Sequence, residues 1–228
     1  MIEYRPQDPL IFIHTPKTAG ISVRTIFTEW FGEGLLRHYA NQRTGNIPAV
    51  IDIKHPSVPG APACLFGHFN YQRGFGIPGR YDWVKQFITI LRDPLEQTIS
   101  RYFYLRANSA FRIDQSRVPK GTLEEYIRQE PSTLLIHFPK VLTKENFKDV
   151  IEENFIAVGI TERVDDTIRL FARRLGFHAP NEVPFQNRSE RDQILSPELR
   201  DQYADRFPLE HTVYEYCCKR FEEQIRAS

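Results

Sequence analysis

A chain of 228 residues, 41% hydrophobic and 26% charged, has the make-up of an ordinary globular protein of one domain rather than a disordered or fibrous one. Its formal net charge of +1 excludes a whole-chain field for nucleic acid, so any anion site must be local. Cys64, Cys217 and Cys218 are too few, and the last two too close together, for a disulfide framework, which implies a reducing, cytoplasmic setting. No apolar run approaches the ~20 residues of a membrane span. Met1 to Pro9 is polar, carries Pro6 and Pro9, and lacks the apolar stretch of a signal peptide. A soluble, untargeted protein is expected.

The first strong element is Leu10 to His14, a short β-rich apolar run of the kind buried in a parallel sheet. After a polar loop, Ser22 to Phe31 places Val23, Ile26, Phe27 and Trp30 at helical spacing, and Gly32 and Gly34 stop it. Residues 35 to 62 read as loop with at most one short helix. Ala63 to Phe66 is a second strand, ending at Gly67-His68-Phe69. Residues 70 to 82, with three glycines and a proline, read as a loop over a site. Gln86 to Leu91 is a third strand; Asp93 then caps a helix with Pro94 at its first position. Residues 108 to 121 form a basic linker. Helices are expected over Thr122 to Arg128 and Lys144 to Glu153. Phe155 to Ile160 is a fourth strand. Asp165 to Leu175 is a helix ended by Gly176. A polar loop over 178 to 195 leads to helices at Pro197 to Ala204 and Leu209 to Ile225. Strands alternate with helices, so one α/β domain over residues 1–228 is expected, with a central parallel sheet flanked by helices.

The chemistry concentrates in Pro16-Lys17-Thr18-Ala19-Gly20-Ile21-Ser22. A strand, a short polar loop and a helix start present free backbone N–H groups and the positive end of a helix dipole. That makes an anion site. Lys17 adds a charge, Thr18 and Ser22 add hydroxyls, and Gly20 lets the backbone approach a phosphate. The nucleotide-triphosphatase pattern G-x-x-x-x-G-K-[ST] is not met, because Pro16 stands before Lys17 and no glycine lies upstream. A plain βα turn with a surface lysine would carry the same spacing.

The segment Phe12 to Gly20 resembles the 5′-phosphosulfate loop of the sulfotransferase superfamily, closest to its carbohydrate, uronyl 2-O-sulfotransferase-like branch and bacterial relatives. Ile21 stands where that family commonly has a hydroxyl residue. Ile90-Leu91-Arg92-Asp93-Pro94, with Ser100 eight residues after the arginine, is similar to the family's 3′-phosphate motif. A guanidinium grips phosphate through parallel donors, although Arg92 alone would also suit a salt bridge. The resemblance implies a P-loop-like fold and 3′-phosphoadenosine 5′-phosphosulfate (PAPS) as donor. It places Lys17, Thr18, Ala19, Gly20, Ile21 and Ser22 on the phosphosulfate, and Arg92 and Ser100 on the 3′-phosphate. It further implies a hydroxyl of a sugar, glycoconjugate or other small molecule as acceptor.

Sulfuryl transfer to a hydroxyl needs a base, and histidine titrates in the right range. Among seven histidines, His68 lies at a strand end and matches the Gly-His segment in which the resembled branch has its base. His14 is assigned to the sheet. His38, His55 and His178 fall in loops, and His137 and His211 on helices or their flanks without evident partners. No grouping has metal-ligand spacing, and Lys17 is expected to supply the charge a metal would. Arg188, in a polar loop near the C-terminus, is a possible nucleotide contact. Arg106, Arg112, Arg117 and Lys120 form a basic set that would suit an anionic acceptor or simply face solvent. Two other functions fit parts of the pattern: a P-loop phosphotransferase or nucleotide triphosphatase, and a non-catalytic nucleotide-binding module.

Overall fold

The computed structural model describes residues 1–41, 44–53, 62–109, 115–183 and 195–227. Five parallel strands, β1 (Leu10–Ile13), β2 (Leu35–His38), β3 (Cys64–Gly67), β4 (Gln86–Leu91) and β5 (Phe155–Ile160), form one sheet in the order β2-β3-β1-β4-β5. The helices are α1 (Gly20–Phe31), α2 (Pro94–Ala107), α3 (Leu123–Gln129), α4 (Phe147–Asn154), α5 (Val164–Leu175), α6 (Pro197–Arg206) and α7 (Pro208–Arg226). The α/β class and the parallel sheet are as the sequence predicts.

Both faces of the sheet are covered, which explains why its strands read as unbroken apolar runs. Leu10 and Phe12 pack with Val23, Ile26 and Phe27 of α1 and Ile168 and Phe171 of α5. Ile11 and Ile13 face the other way, toward Phe138, Val150 and Ile151. Phe12 stacks on Phe66 at 4.3 Å between centroids, and Phe27 meets it edge-on at 4.8 Å. These contacts fix α1 against the two central strands, and so fix the loop that joins β1 to α1.

Local chemistry sets the helix ends. Asp93 accepts from the Glu96 N–H at 2.9 Å with Pro94 at the first helical position. Thr122 and Glu125 form a reciprocal capping box, so Thr122 is the cap of α3 rather than its first residue. Gly176, at φ 77°, closes α5.

The sequence reading fails over 35 to 62. Leu35–His38 is not loop but a strand, paired in parallel with β3. The helix expected from Lys144 starts later, at Phe147. His55, Arg112, Arg188 and parts of the expected loops over 54–61, 110–114 and 184–194 lie outside the described residues.

Candidate active site

Parallel register brings the chemistry to one edge. Ile13, His38, Gly67 and Thr89 are register partners across β1, β2, β3 and β4, and Leu91 pairs with Ile160 of β5. The residues that follow these strand ends, His14 to Ala19, His68, Arg92 and Thr161, therefore gather at the carboxyl edge. In open α/β sheets ligands bind there, and β1 sits centrally with β3 and β4 on either side.

The loop from Thr15 to Ala19 is strained and tied down. Lys17 (φ 70°) and Ala19 (φ 57°) are left-handed, and no other non-glycine described residue has positive φ. Such residues cost about 1–3 kcal/mol each and persist only where their surroundings hold them. Thr15 Oγ1 donates to Ile90 O at 2.6 Å, Gln97 Nε2 to Pro16 O at 2.9 Å and Arg92 Nη1 to Lys17 O at 3.3 Å. With the Pro16 and Lys17 carbonyls turned toward Gln97 and Arg92, the left-handed residues curl the backbone at the start of α1, where its N–H groups can form an anion-binding nest. Ala19, the residue before α1, makes no side-chain cap, so the helix start relies on backbone alone.

The side chains of the loop divide. Lys17 Nζ lies over the Tyr104 ring, 4.1 Å from its centroid. The Thr18 hydroxyl turns inward and donates to Thr15 O at 2.8 Å, which leaves its backbone N–H as the group available at the loop. Ser22 is buried on the first turns of α1, and Ile21 is exposed. Gly20 has a reason the sequence does not reveal: a Cβ there would lie 1.7 Å from His14 Nε2, so the imidazole occupies that space.

Arg92 follows β4 and Ser100 lies buried within α2, as the spacing requires. The Arg92 guanidinium sits between two carboxylates, with Nη2 3.9 Å from Glu96 and Nε 4.0 Å from Glu162. Glu162 also accepts from the Asp93 N–H and from the Tyr214 hydroxyl of α7, at 3.2 and 3.1 Å.

His68 follows β3 and remains partly exposed. Its Nδ1 is 2.6 Å from His14 O. A carbonyl only accepts, so Nδ1 carries the proton and Nε2 of the neutral ring holds the lone pair. Burial, opposed by that hydrogen bond, lowers its pKa from the ordinary histidine value, so the neutral form prevails near pH 7.

Three more histidines surround it, and here the sequence reading needs correction. His14 lies just beyond β1, stacked on His68 at 4.4 Å and 26°. Its Nδ1 is 2.9 Å from the Tyr39 hydroxyl. His38 is the last residue of β2, fully buried, with Nδ1 2.9 Å from His68 O. His137, expected to lack partners, donates from Nδ1 to Phe69 O, and its ring centroid is 6.4 Å from that of His68. Nε2 of His38 and of His137 is buried without a hydrogen-bond partner. Burial above all lowers these pKa values, to about 4 for His38 and about 3 for His137. Only tertiary folding joins these four residues; their spacing carries no signal.

Arg106, one of the expected basic set, donates to the Tyr102 hydroxyl at 2.6 Å. Among the described residues no group of three or more His, Cys, Asp or Glu side chains could hold a metal ion, and no helix is long and apolar enough to cross a membrane.

No protein-family model matches the sequence, and no curated protein is significantly similar to it. Among solved structures, the chain is similar to a mouse sulfotransferase, SULT7A1, complexed with PAP. The TM-score is 0.54 at 13% identity, covering 94% of this chain and 90% of that one. A sulfotransferase from Alicyclobacillus acidocaldarius matches with a TM-score of 0.49 at 16% identity, over 93% and 95% of the two chains. The fold is thus one that a sulfotransferase also adopts.

Proposed function

We propose that the protein is a sulfotransferase that moves the sulfuryl group of PAPS to a hydroxyl of a carbohydrate or glycoconjugate, without a metal. One observation carries the reading. The strained loop, an arginine beside it and a neutral histidine with a free Nε2 lone pair meet at the carboxyl edge of the sheet.

The backbone N–H groups of Lys17 to Ser22, at the start of α1, would receive the 5′-phosphosulfate. Arg92 and Ser100 would hold the 3′-phosphate, with Arg92 exchanging its distant carboxylates for closer phosphate oxygens. His68 Nε2 would take the acceptor proton, and Lys17 would leave Tyr104 to neutralise charge on the departing phosphate oxygen. In-line displacement of this kind asks the protein for positioning and electrostatics, which the tied loop supplies.

The reading is tested in two steps. Thermal unfolding with adenosine 3′,5′-bisphosphate and with ADP should show stabilisation by the first and little by the second. Radiosulfur-labelled PAPS, offered with monosaccharides, uronate-containing oligosaccharides and simple alcohols in the presence of a chelator, should yield a labelled ester. Equal stabilisation by both nucleotides, or turnover of ATP with Mg²⁺ instead of sulfuryl transfer, would replace this function with a phosphotransferase.

A further inference from the structure

The two stacked imidazoles at the strand edge have different partners at Nδ1, the His14 carbonyl for His68 and the Tyr39 hydroxyl for His14. The Tyr39 hydroxyl lies 2.9 Å from His14 Nδ1. Burial keeps the phenol protonated, so it has one proton to give, and His14 Nδ1 is the acceptor within reach. That nitrogen is therefore an acceptor, and the proton of the neutral His14 ring sits on Nε2.

Nε2 is the atom that lies over Gly20, where a side chain would otherwise project from the first residue of α1. His68, 4.4 Å away in the stack, has the opposite tautomer, fixed by the His14 carbonyl. The two rings thus offer a donor on His14 and an acceptor on His68, side by side in one stack. Burial first, then the neighbouring His68, His137, Arg24 and Lys17, hold His14 well below the usual imidazole pKa, so the ring donates a hydrogen bond without becoming an acid.

On the proposed sulfotransferase reading, we infer that His14 Nε2–H is a second functional imidazole, a fixed hydrogen-bond donor to an oxygen of the sulfuryl group in transfer, oriented by Tyr39. In the step itself the acceptor oxygen–sulfur bond forms as the bond from sulfur to the phosphate oxygen breaks. The acceptor proton goes to His68 Nε2, and the electron pair of the broken bond leaves on the 5′-phosphate. His14 keeps its proton throughout. A preoriented donor aimed at developing charge needs no reorganisation during the reaction, which is where such groups contribute most.

The tautomer is read without any substrate. Long-range proton–nitrogen correlation spectra of the full chain labelled with nitrogen-15 histidine should show His14 protonated on Nε2 and His68 on Nδ1, the His14 signals being assigned by their loss in His14→Leu. Tyr39→Phe removes the hydroxyl and should move His14 toward the Nδ1–H form. Turnover is read as release of label from radiosulfur PAPS to water and to the fastest acceptor of the panel. His14→Leu should lower kcat by roughly 10²–10³-fold, the usual effect of deleting one oxyanion donor. Adenosine 3′,5′-bisphosphate lacks the sulfuryl group, so its affinity should change by less than about threefold. His14→Gln, whose amide nitrogen sits near the Nε2 position, should recover part of kcat. An Nδ1–H tautomer for His14, or wild-type kcat in His14→Leu, overturns the inference. A wild-type chain that neither binds the bisphosphate nor transfers label refutes the proposed function, and this inference falls with it whatever the spectra show.

Discussion

Gly20→Ala is expected to destabilise the protein through His14. A Cβ at residue 20 lies 1.7 Å from His14 Nε2 and 2.1 Å from Cε1, far inside van der Waals contact. The imidazole must leave its place, losing the Tyr39 hydrogen bond and the stack on His68. Overpacking of this kind costs about 1–3 kcal/mol. Alanine offsets part of that, because glycine in a helix is disfavoured by roughly 0.5–1 kcal/mol. The balance centres on a loss of about 1–2 kcal/mol, or roughly 2–8 °C in Tm for a chain of this length. In a His14→Ala background the new methyl group meets no ring, and Gly20→Ala should be neutral or slightly stabilising. Thermal and urea unfolding of the four proteins gives the coupling directly, about 1–3 kcal/mol, since the helix-propensity gain cancels in the cycle. Strict additivity, or a neutral Gly20→Ala in the wild type, would refute the placement of His14 over the loop.

Two further outcomes are expected. Arg92→Ala should reduce the preference for adenosine 3′,5′-bisphosphate over ADP by roughly 10–100-fold in calorimetric titration, the loss of a charged hydrogen bond of about 1.5–3 kcal/mol; an unchanged preference would remove Arg92 from the 3′-phosphate. Stability should fall as pH drops below the unfolded histidine value of about 6.5, because the unfolded chain then binds protons that the buried rings refuse. The loss continues toward the folded values, about 4 for His38 and about 3 for His137, and equal urea midpoints at pH 7.5 and 5, two settings on the order of a unit either side of that value, would contradict it.

What the sequence reveals follows from how local each signal is. Gln86–Leu91 and Phe155–Ile160 are read with their observed bounds because both faces of each strand are buried and every position is apolar or fully enclosed. Leu35–His38 escapes notice because it is four residues long, pairs on one side only and carries an exposed Arg37. The loop from Pro16 to Ser22 is legible because strand, polar break and helix are contiguous. The spacing from Arg92 to Ser100 is legible for the same reason, since Asp93 and Pro94 fix where α2 begins. The role open to His14 is not, because its tautomer depends on Tyr39, which reaches it only through the fold. Gly20 shows how the two levels differ. Sequence reasoning assigns it to close approach by a phosphate, whereas the packing already requires it for the imidazole.

His137 tests what holds the His68 turn in place. The turn is gripped at successive peptides: the His68 N–H donates to His38 O at 2.9 Å, His38 Nδ1 donates to His68 O, and His137 Nδ1 donates to Phe69 O. His137→Phe keeps an aromatic ring of similar size but donates nothing, so the Phe69 carbonyl loses that partner at a cost of about 1–3 kcal/mol. His68 is then free to drift, and a displacement of about 1 Å at a reacting group can lower kcat by roughly 10²-fold. His137→Asn places an amide N–H near the Nδ1 position and should recover more of kcat than phenylalanine does, despite filling less of the space. Packing alone predicts the reverse order, because the larger ring restores more buried apolar surface. If phenylalanine outperforms asparagine in both stability and kcat, His137 is a space-filling residue and the His68 turn is held by His38 and the His14 carbonyl alone.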